Sequence, residues 1–576
     1  MKLMNVGLLA VGLTAQAGLP LPALAQTLTK PEDVGLSSSK LALIHDAVKV
    51  QIEAGQIPGA IVLVARDGKL VYSEAQGAAS PMSPAPIRTD NVFGAADLTK
   101  AAVSVAAMML VEDGKLDIDA GVRRHFPQLS IPLGEPTLRH LMTHTSGYRC
   151  HIDLGYLASG LAMRPAGAAM ATLVGQRHAN FAPGDRLLYN NSGYHLLSLI
   201  IEQVSGVSIE RFLKERIFDP IGMPDTEAVT SDLMIRQGLA TLHLPLPDGT
   251  WRRGIFPTER ALGEGAIVST VDDMLRWLAH LRGPKRVGSA ASWAQMMTPG
   301  QLNNGVVNPY SLGLRREAYR GVDTIHHAGG VVGGASQMLS APDHELDIVI
   351  LANSGSIDPS RLACRVIDIV LGDEVLSSPD VKARSDRFKP MCAARFHSPS
   401  SGLHIGFSDT EGQLSLAVLN GTPVPLGQDS ETLQLDAFED QAGNPIVIAV
   451  EGLSDACPGR LQISQDGRIQ TLNRLPATPV LPADVGHALV GRYRAGDLDA
   501  EAEILFEGQS LVLRIAGPYA TNSLALEAFS PDVFGFHGLT VPIRGMLSVE
   551  RSTEAVTGFH LDTPRTRRLL FERLSR

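Results

Sequence analysis

The sequence predicts one mixed α/β domain followed by two small all-β units, and three observations predict it. From about Thr27 to Leu376, strand-like apolar runs open and close a region whose interior reads as helices. After the polar stretch Ser377 to Lys389 the texture changes to short alternating strands broken by turns. A second, Pro-rich joint, Leu475 to Pro482, precedes another unit of the same kind. The chain has 576 residues, 44% hydrophobic and 19% charged, which is ordinary globular material. At ~100–200 residues per domain that length accommodates three domains. The expected limits are 26–376 for the first, 390–474 and 487–576 for the β units, with joints at 377–389 and 475–486.

The chain opens with Lys2, a short apolar run from Val6 to Ala15, and Ala23-Leu24-Ala25 before Gln26. Charge, greasy core and small-residue cleavage site make residues 1–25 a secretory signal peptide, so the mature protein is expected in the periplasm or secreted. Gly18, Pro20 and Pro22 interrupt the run, and nothing downstream is apolar over the ~18 residues a bilayer requires. No stable membrane span is expected after cleavage.

Ile61-Val62-Leu63-Val64 and Leu70-Val71-Tyr72 flank Asp67-Gly68, which reads as a hairpin with a tight positive-φ turn. Leu98 to Val111 is apolar on nearly every side, as in a helix buried in the middle of a domain, and Asp113-Gly114 stops it. Further helices are signalled at Tyr194 to Val204, before Gly206, and at Pro359 to Leu371, where Asp358 is placed to cap. Asp347 to Ala352 reads as a buried strand. In the β regions, Leu414 to Leu419 precedes Asn420-Gly421, Leu461 to Ile463 precedes Asp466-Gly467, and Leu511, Leu513 and Ile515 alternate with Val512 and Arg514 after Glu507-Gly508.

The net charge of −10 is spread along the chain without a basic stripe, which argues against nucleic acid as a partner. Four widely spaced cysteines contain no C-x-x-C or Cys/His cluster, so neither a metal site nor any other cofactor is expected. Cys392 and Cys457 fall in the same β unit and are the pair to consider for a disulfide; Cys150 and Cys364 read as free thiols.

The chemistry is carried by short segments in a fixed order. They are Ile57-Pro58-Gly59-Ala60, Phe93 to Lys100, Leu138 to Gly147, Tyr189-Asn190-Asn191-Ser192-Gly193-Tyr194, Pro220-Ile221-Gly222-Met223, Ser269 to Asp273, and His327-Ala328-Gly329-Gly330. As a set they resemble the serine β-lactamase and penicillin-binding-protein superfamily, in particular the class C β-lactamase-related hydrolases. The resemblance implies an antiparallel sheet flanked by helices. The two following β units, read as small barrels or sandwiches, resemble the layout of bacterial D-aminopeptidases. In that family the second segment reads S-x-x-K, the fourth Y-x-N, and the last K-T-G or H-x-G. Lys100, Tyr189, Asn191 and His327 match, and Gly329 and Gly330 follow in the last segment; the serine's place is taken by Asp97. The one literal S-x-x-K, Ser37 to Lys40, lies in the polar lead-in before the first strand, and Thr99 and Ser104 point away from the Asp97/Lys100 face.

A carboxylate at a helix start beside a lysine is expected to be firmly ionised. Its attack on an amide or ester would give a strained anhydride, whereas displacement at an anomeric carbon is established work for Asp, and the alternative is a general base for water with His327 or Tyr189 as the acid. Three functions follow. The first is an exported hydrolase of small peptide, ester or glycan substrates, with Asp97, Lys100, Tyr189 and His327 catalytic and Asn191, Gly329, Gly330 and Glu264 binding substrate. The second is a glycoside hydrolase, which requires a second carboxylate about 5–9 Å from Asp97 and sugar-stacking aromatics; Glu264 is the candidate acid. The third is a ligand-binding pseudoenzyme in which Asp97 caps its helix in a locked ion pair with Lys100. His144 reads as a buried structural histidine.

Overall fold

A computed structural model describes residues 27–575 except 247, 373–374, 377–380, 430, 436–443, 478–479 and 554. The expected signal peptide lies outside the described residues.

Seven strands carry the first domain: β1 (Gly59–Arg66), β2 (Lys69–Ser80), β3 (Ser83–Pro86), β4 (Arg315–Tyr319), β5 (Val322–Val331), β6 (Gly334–Ala341) and β7 (Leu346–Ala352). They form one antiparallel sheet in the order β4-β5-β6-β7-β1-β2-β3. Chain-start and chain-end strands meet at its centre, where Val62 lies opposite Ile350. The β1–β2 hairpin turns at Asp67 (φ 52°) and Gly68 (φ 71°), both left-handed, as the Asp-Gly pair predicts.

Both faces of the sheet are covered. Six of the flanking helices bear on the argument: α1 (Ser38–Glu53), α2 (Thr99–Glu112), α3 (His151–Ser159), α4 (Asn191–Ser205), α5 (Val271–Arg282) and α6 (Pro359–Leu371). Period-two alternation on β1 sends Val62 and Val64 into a core with Leu41, Ile44 and Val48 of α1 and Ala363, Val366 and Ile367 of α6. Ile61, Leu63 and Ala65 face the other way, into a larger core with α2, α4 and α5. Helix α2 is buried continuously from Thr99 to Met108. An element sheathed on all sides cannot shift without opening a cavity, so its N-terminal end is held rigidly.

Helix α1 is not signalled in the sequence reading, and it explains the literal S-x-x-K. Ser37 is its N-cap, accepting from the Lys40 N–H, so the motif there is a capping motif at the surface.

Beyond the first domain, short strands from Val381 to Arg474 build a ten-stranded sheet, and the eight strands from Gly491 to Arg573 close into a barrel. Val381–Lys382, inside the stretch read as a joint, is an edge strand paired with Gly427–Gln428. Cys392 and Cys457, the pair considered for a disulfide, do not form one: the Cys392 thiol lies against the Ser385 and Phe388 carbonyls instead.

The closed barrel is locked to the first domain through α3. Leu154, Leu157 and Ala158 join its interior core, Asn522 donates to the Tyr156 carbonyl at 2.8 Å, and the buried Arg149–Asp497 pair closes at 2.5 Å. Arg149 also donates to the carbonyls of Arg567 and Arg568, which tethers the loop between the last two barrel strands.

Candidate active site

Asp97 lies in a single turn, Ala96–Leu98, that leads into α2. Ala96 adopts φ 51°, a left-handed conformation that a residue with a Cβ takes at a cost. That bend sets Asp97 in the wall of a cleft of about 440 Å³. One helical turn on, Lys100 reaches the Asp97 Oδ1 at 2.5 Å, and the Tyr189 hydroxyl donates to the same oxygen at 2.7 Å. The second oxygen, Oδ2, accepts the Gly330 N–H at 2.9 Å. Asp97 is 7% exposed and every bond it makes holds the charged form.

Burial alone would raise the Asp97 carboxyl. Lys100, then Arg565 and His327, and the Gly330 N–H outweigh it and hold the group down at about 2. Lys100 is fully buried and divides its ammonium between Asp97 and the Glu264 carbonyl, 3.0 Å away. Burial drives the Tyr189 hydroxyl well above its ordinary value, reinforced by the Asp97 charge, so the phenol keeps its proton.

Gly330 reaches Asp97 because β5 lies tight against the turn. A Cβ on Gly329 would stand 2.4 Å from the Ser336 Oγ and 2.7 Å from the Ala95 carbonyl, so no side chain fits there. His327, on the same strand, donates from Nδ1 to its neighbour's carbonyl, Ala328 O, leaving Nε2 to accept the Tyr310 hydroxyl at 2.8 Å. Burial, then Lys100, pushes the imidazole down to about 3, so it is neutral. His144 packs between the Tyr189 and Tyr310 rings, at 4.1 and 4.3 Å between centroids, and accepts the Asn190 N–H. The geometry of His144 is that of a buried structural histidine.

The structure thus brings Asp97, Lys100, Tyr189, Gly330 and, one layer behind, His327 together. Asn191 opens α4 with its Oδ1 buried and without a hydrogen-bond partner. Glu264 departs from expectation: its peptide carbonyl serves Lys100, but its carboxylate is buried against His195 and is not part of the cleft wall. The other acid in that wall, Asp358, spends its carboxylate capping α6 through the N–H groups of Ser360 and Arg361. Tyr189 is the one aromatic among the described lining residues.

Two members of the site escape sequence reasoning. Tyr310 carries no motif. Arg565 arrives from the closed barrel on the loop 563–568, stands over the Tyr189 ring at 4.8 Å, and lines the cleft. Asn180 holds that loop by donating to the Arg565 carbonyl and accepting from the Arg567 N–H. Pro564 beside Arg565, Arg567 and Arg568 is legible as a basic turn, but not as one that reaches this cleft.

A beta-lactamase family model matches residues 44–369. The D-aminopeptidase of Cereibacter sphaeroides (strain ATCC 17023) is 26% identical over 528 residues, covering 90% of this chain and 96% of that protein. The D-aminopeptidase of Gluconobacter oxydans (strain 621H) is 26% identical over 484 residues, covering 82% and 86%. Among solved structures, the octameric penicillin-binding protein homologue from Pyrococcus abyssi superposes with a TM-score of 0.52 at 18% identity, over 92% of this chain and all of that one. That likeness shows the fold.

Proposed function

The chain belongs to the beta-lactamase family, and we propose that it is a hydrolase, like the relatives named for that activity, that is exported and cleaves small amide or ester substrates using Asp97 as a general base. The observation that carries the reading is the Gly330 N–H on the Asp97 Oδ2. A substrate carbonyl entering the cleft competes for that donor. When it wins, Gly330 polarises the carbonyl, and the displaced Oδ2 loses one of the contacts that hold its affinity for protons down. Oδ1 stays clamped by Lys100 and Tyr189, so the freed oxygen keeps its aim and takes a proton from the water that attacks the carbonyl carbon. The leaving group takes its proton from Tyr189, and the Asp97 carboxyl, which took the water's proton, returns it to the Tyr189 oxygen through their shared hydrogen bond, restoring both groups. His327 is a positioning residue in this scheme, because its Nδ1–H goes to a backbone carbonyl and its Nε2 is an acceptor. The names of the relatives support substrates with a D-configured amino-terminal residue, and the 440 Å³ cleft under Arg565 suits a short chain end.

The saturation of both Asp97 oxygens favours a second reading, a ligand-binding protein on a disarmed hydrolase scaffold. The glycosidase reading draws no such support, since the cleft's other carboxylate is a helix cap.

The test is turnover by the purified protein on D-aminoacyl anilides, short-chain nitrophenyl esters, a chromogenic cephalosporin and oligosaccharides, beside Asp97→Asn and Asp97→Ser. The expected result is amidase or esterase turnover that falls by about 10²-fold or more in Asp97→Asn, the range of a lost acid–base group. A silent native protein whose Asp97→Ser variant acquires esterase activity establishes the binding reading instead. Covalent β-lactam labelling is expected to fail in the native chain, which has no acylable hydroxyl at that position.

A further inference from the structure

Behind Lys100 three buried groups converge that the reaction does not use. His151 is the first residue of α3, His195 lies in the second turn of α4, and Glu264 sits in the segment before the strand Ile267–Ser269. Their ligand atoms all lie within 4.8 Å of one another, with the Glu264 Oε1 at 2.9 Å from His195 Nδ1 and 3.7 Å from His151 Nε2. We propose that His151, His195 and Glu264 form a binding site for one divalent transition-metal ion, zinc by preference, that fixes the Glu264 peptide and through it Lys100.

Two observations independent of the clustering support an ion. Glu264 is 2% exposed, yet its Oε2 has no hydrogen-bond partner. A buried carboxylate oxygen without a donor is costly, and a bound cation is one of the few remedies. The His151 ring is also oriented as a ligand should be. Ser192 Oγ donates to the Arg149 carbonyl, so it accepts from the His151 N–H and from Nδ1, 3.3 Å away. That bond places the ring proton on Nδ1 and turns the Nε2 lone pair toward Glu264, the outer hydrogen bond that metal-bound histidines use.

Ligand edges of 2.9 and 3.7 Å bracket the roughly 3.4 Å edge of a tetrahedron with ligands at about 2.1 Å, and the third edge lies within 4.8 Å. Two imidazoles with one carboxylate suit zinc and its first-row neighbours and are a poor set for calcium or magnesium, which take oxygen. Three protein ligands leave a position for water. Because the Glu264 carbonyl accepts the Lys100 ammonium at 3.0 Å, anchoring that side chain sets where Lys100 stands relative to Asp97. The ion is a positioning element, outside the cleft wall.

The test reads metal, not turnover, and so stands apart from the fate of Asp97. Full-length protein is stripped with chelator, equilibrated with Zn(II) or Co(II), desalted against a weak chelator and assayed by elemental analysis. Roughly one ion per chain is expected to remain, with Co(II) giving visible bands of nitrogen/oxygen coordination and no thiolate charge transfer from neighbouring Cys150. Glu264→Gln and His151→Gln, checked for folding by circular dichroism, are expected to lose the ion, and Zn(II) should raise the Tm of the native chain alone. Failure of the native chain to retain metal overturns the proposal, whatever the variants do. So does retention undiminished in a folded variant; the cluster is then an ion pair completed by water.

Discussion

At Asp97 the carboxylate is stabilised from three directions, and the cation with the longest route to the site is the most informative to remove. Arg565 helps hold the Asp97 carboxyl at about 2, and only protonation of that carboxyl silences a general base. The acid limb of kcat/KM therefore reports it, with activity present above the carboxyl's pKa and lost as pH falls through it. Arg565→Ala deletes a positive charge, so the limb is expected to move to higher pH; a limb that stays in place or moves down would remove Arg565 from the electrostatics of the site. Asp97, Lys100, Tyr189, His327 and the Gly329-Gly330 pair were legible as residues because their spacing within segments is local chemistry. Their hydrogen bonds were not. No spacing rule states that Gly330 N–H meets Oδ2, or that His327 hands its acceptor nitrogen to Tyr310.

Among the elements, those whose start and stop signals are local match the sequence reading. Helix α6 runs from Pro359 to Leu371 with Asp358 as its N-cap, and the Asp67-Gly68 turn closes the first hairpin. Asp358→Ala removes acceptors from two backbone N–H groups and is expected to lower unfolding stability by about 1 kcal/mol, measured by denaturant titration with the m-value unchanged. Helix α1 was missed because its amphipathic stripe is weak: Leu41, Ile44 and Val48 are buried, while Leu43 and Val50 are exposed. The Val381–Lys382 strand was missed because a two-residue edge carries no periodicity.

The whole molecule is held by contacts that span domains. Arg149 and Asp497 are almost fully buried and face each other at 2.5 Å, and Arg149 also tethers the loop carrying Arg565. Breaking such a pair leaves an uncompensated buried charge, so Asp497→Ala is expected to cost about 3–5 kcal/mol and to weaken substrate binding through the loop. Equilibrium unfolding and KM measured on the same variant check both effects; an unchanged KM would separate the loop's position from the barrel's anchorage. Acid sensitivity is also a property of the whole fold. Burial, then Lys100 for His327, Arg568 for His397 and the neighbouring His397 ring for His404, pushes His327 down to about 3, His397 to about 4 and His404 to about 3. The unfolded chain binds these protons near pH 6.5 and the folded chain does not. Their contribution is therefore fully present above pH 6.5 and is lost as pH falls to about 4 for His397 and about 3 for His327 and His404, with a slope of about 1.4 kcal/mol per pH unit for each group. Tm should fall steeply from pH 7 to pH 5; a flat profile would show these histidines reaching solvent or partners on protonation.

The sequence by itself determined the class of fold and the limits of the helices and hairpin it signalled, and the order of its motif segments singled out the residues to examine, Asp97 among them. These follow from hydrophobic period, caps, turns and segment order, which act over a few residues. Only the tertiary structure decided that both Asp97 oxygens are occupied, that Glu264 turns from the cleft to His195, and that the last barrel supplies Arg565. These depend on how closely elements distant in the chain approach one another. That approach is set by the packing of α2, the sheet and the two β units against each other, where a shift of an ångström makes or breaks a hydrogen bond.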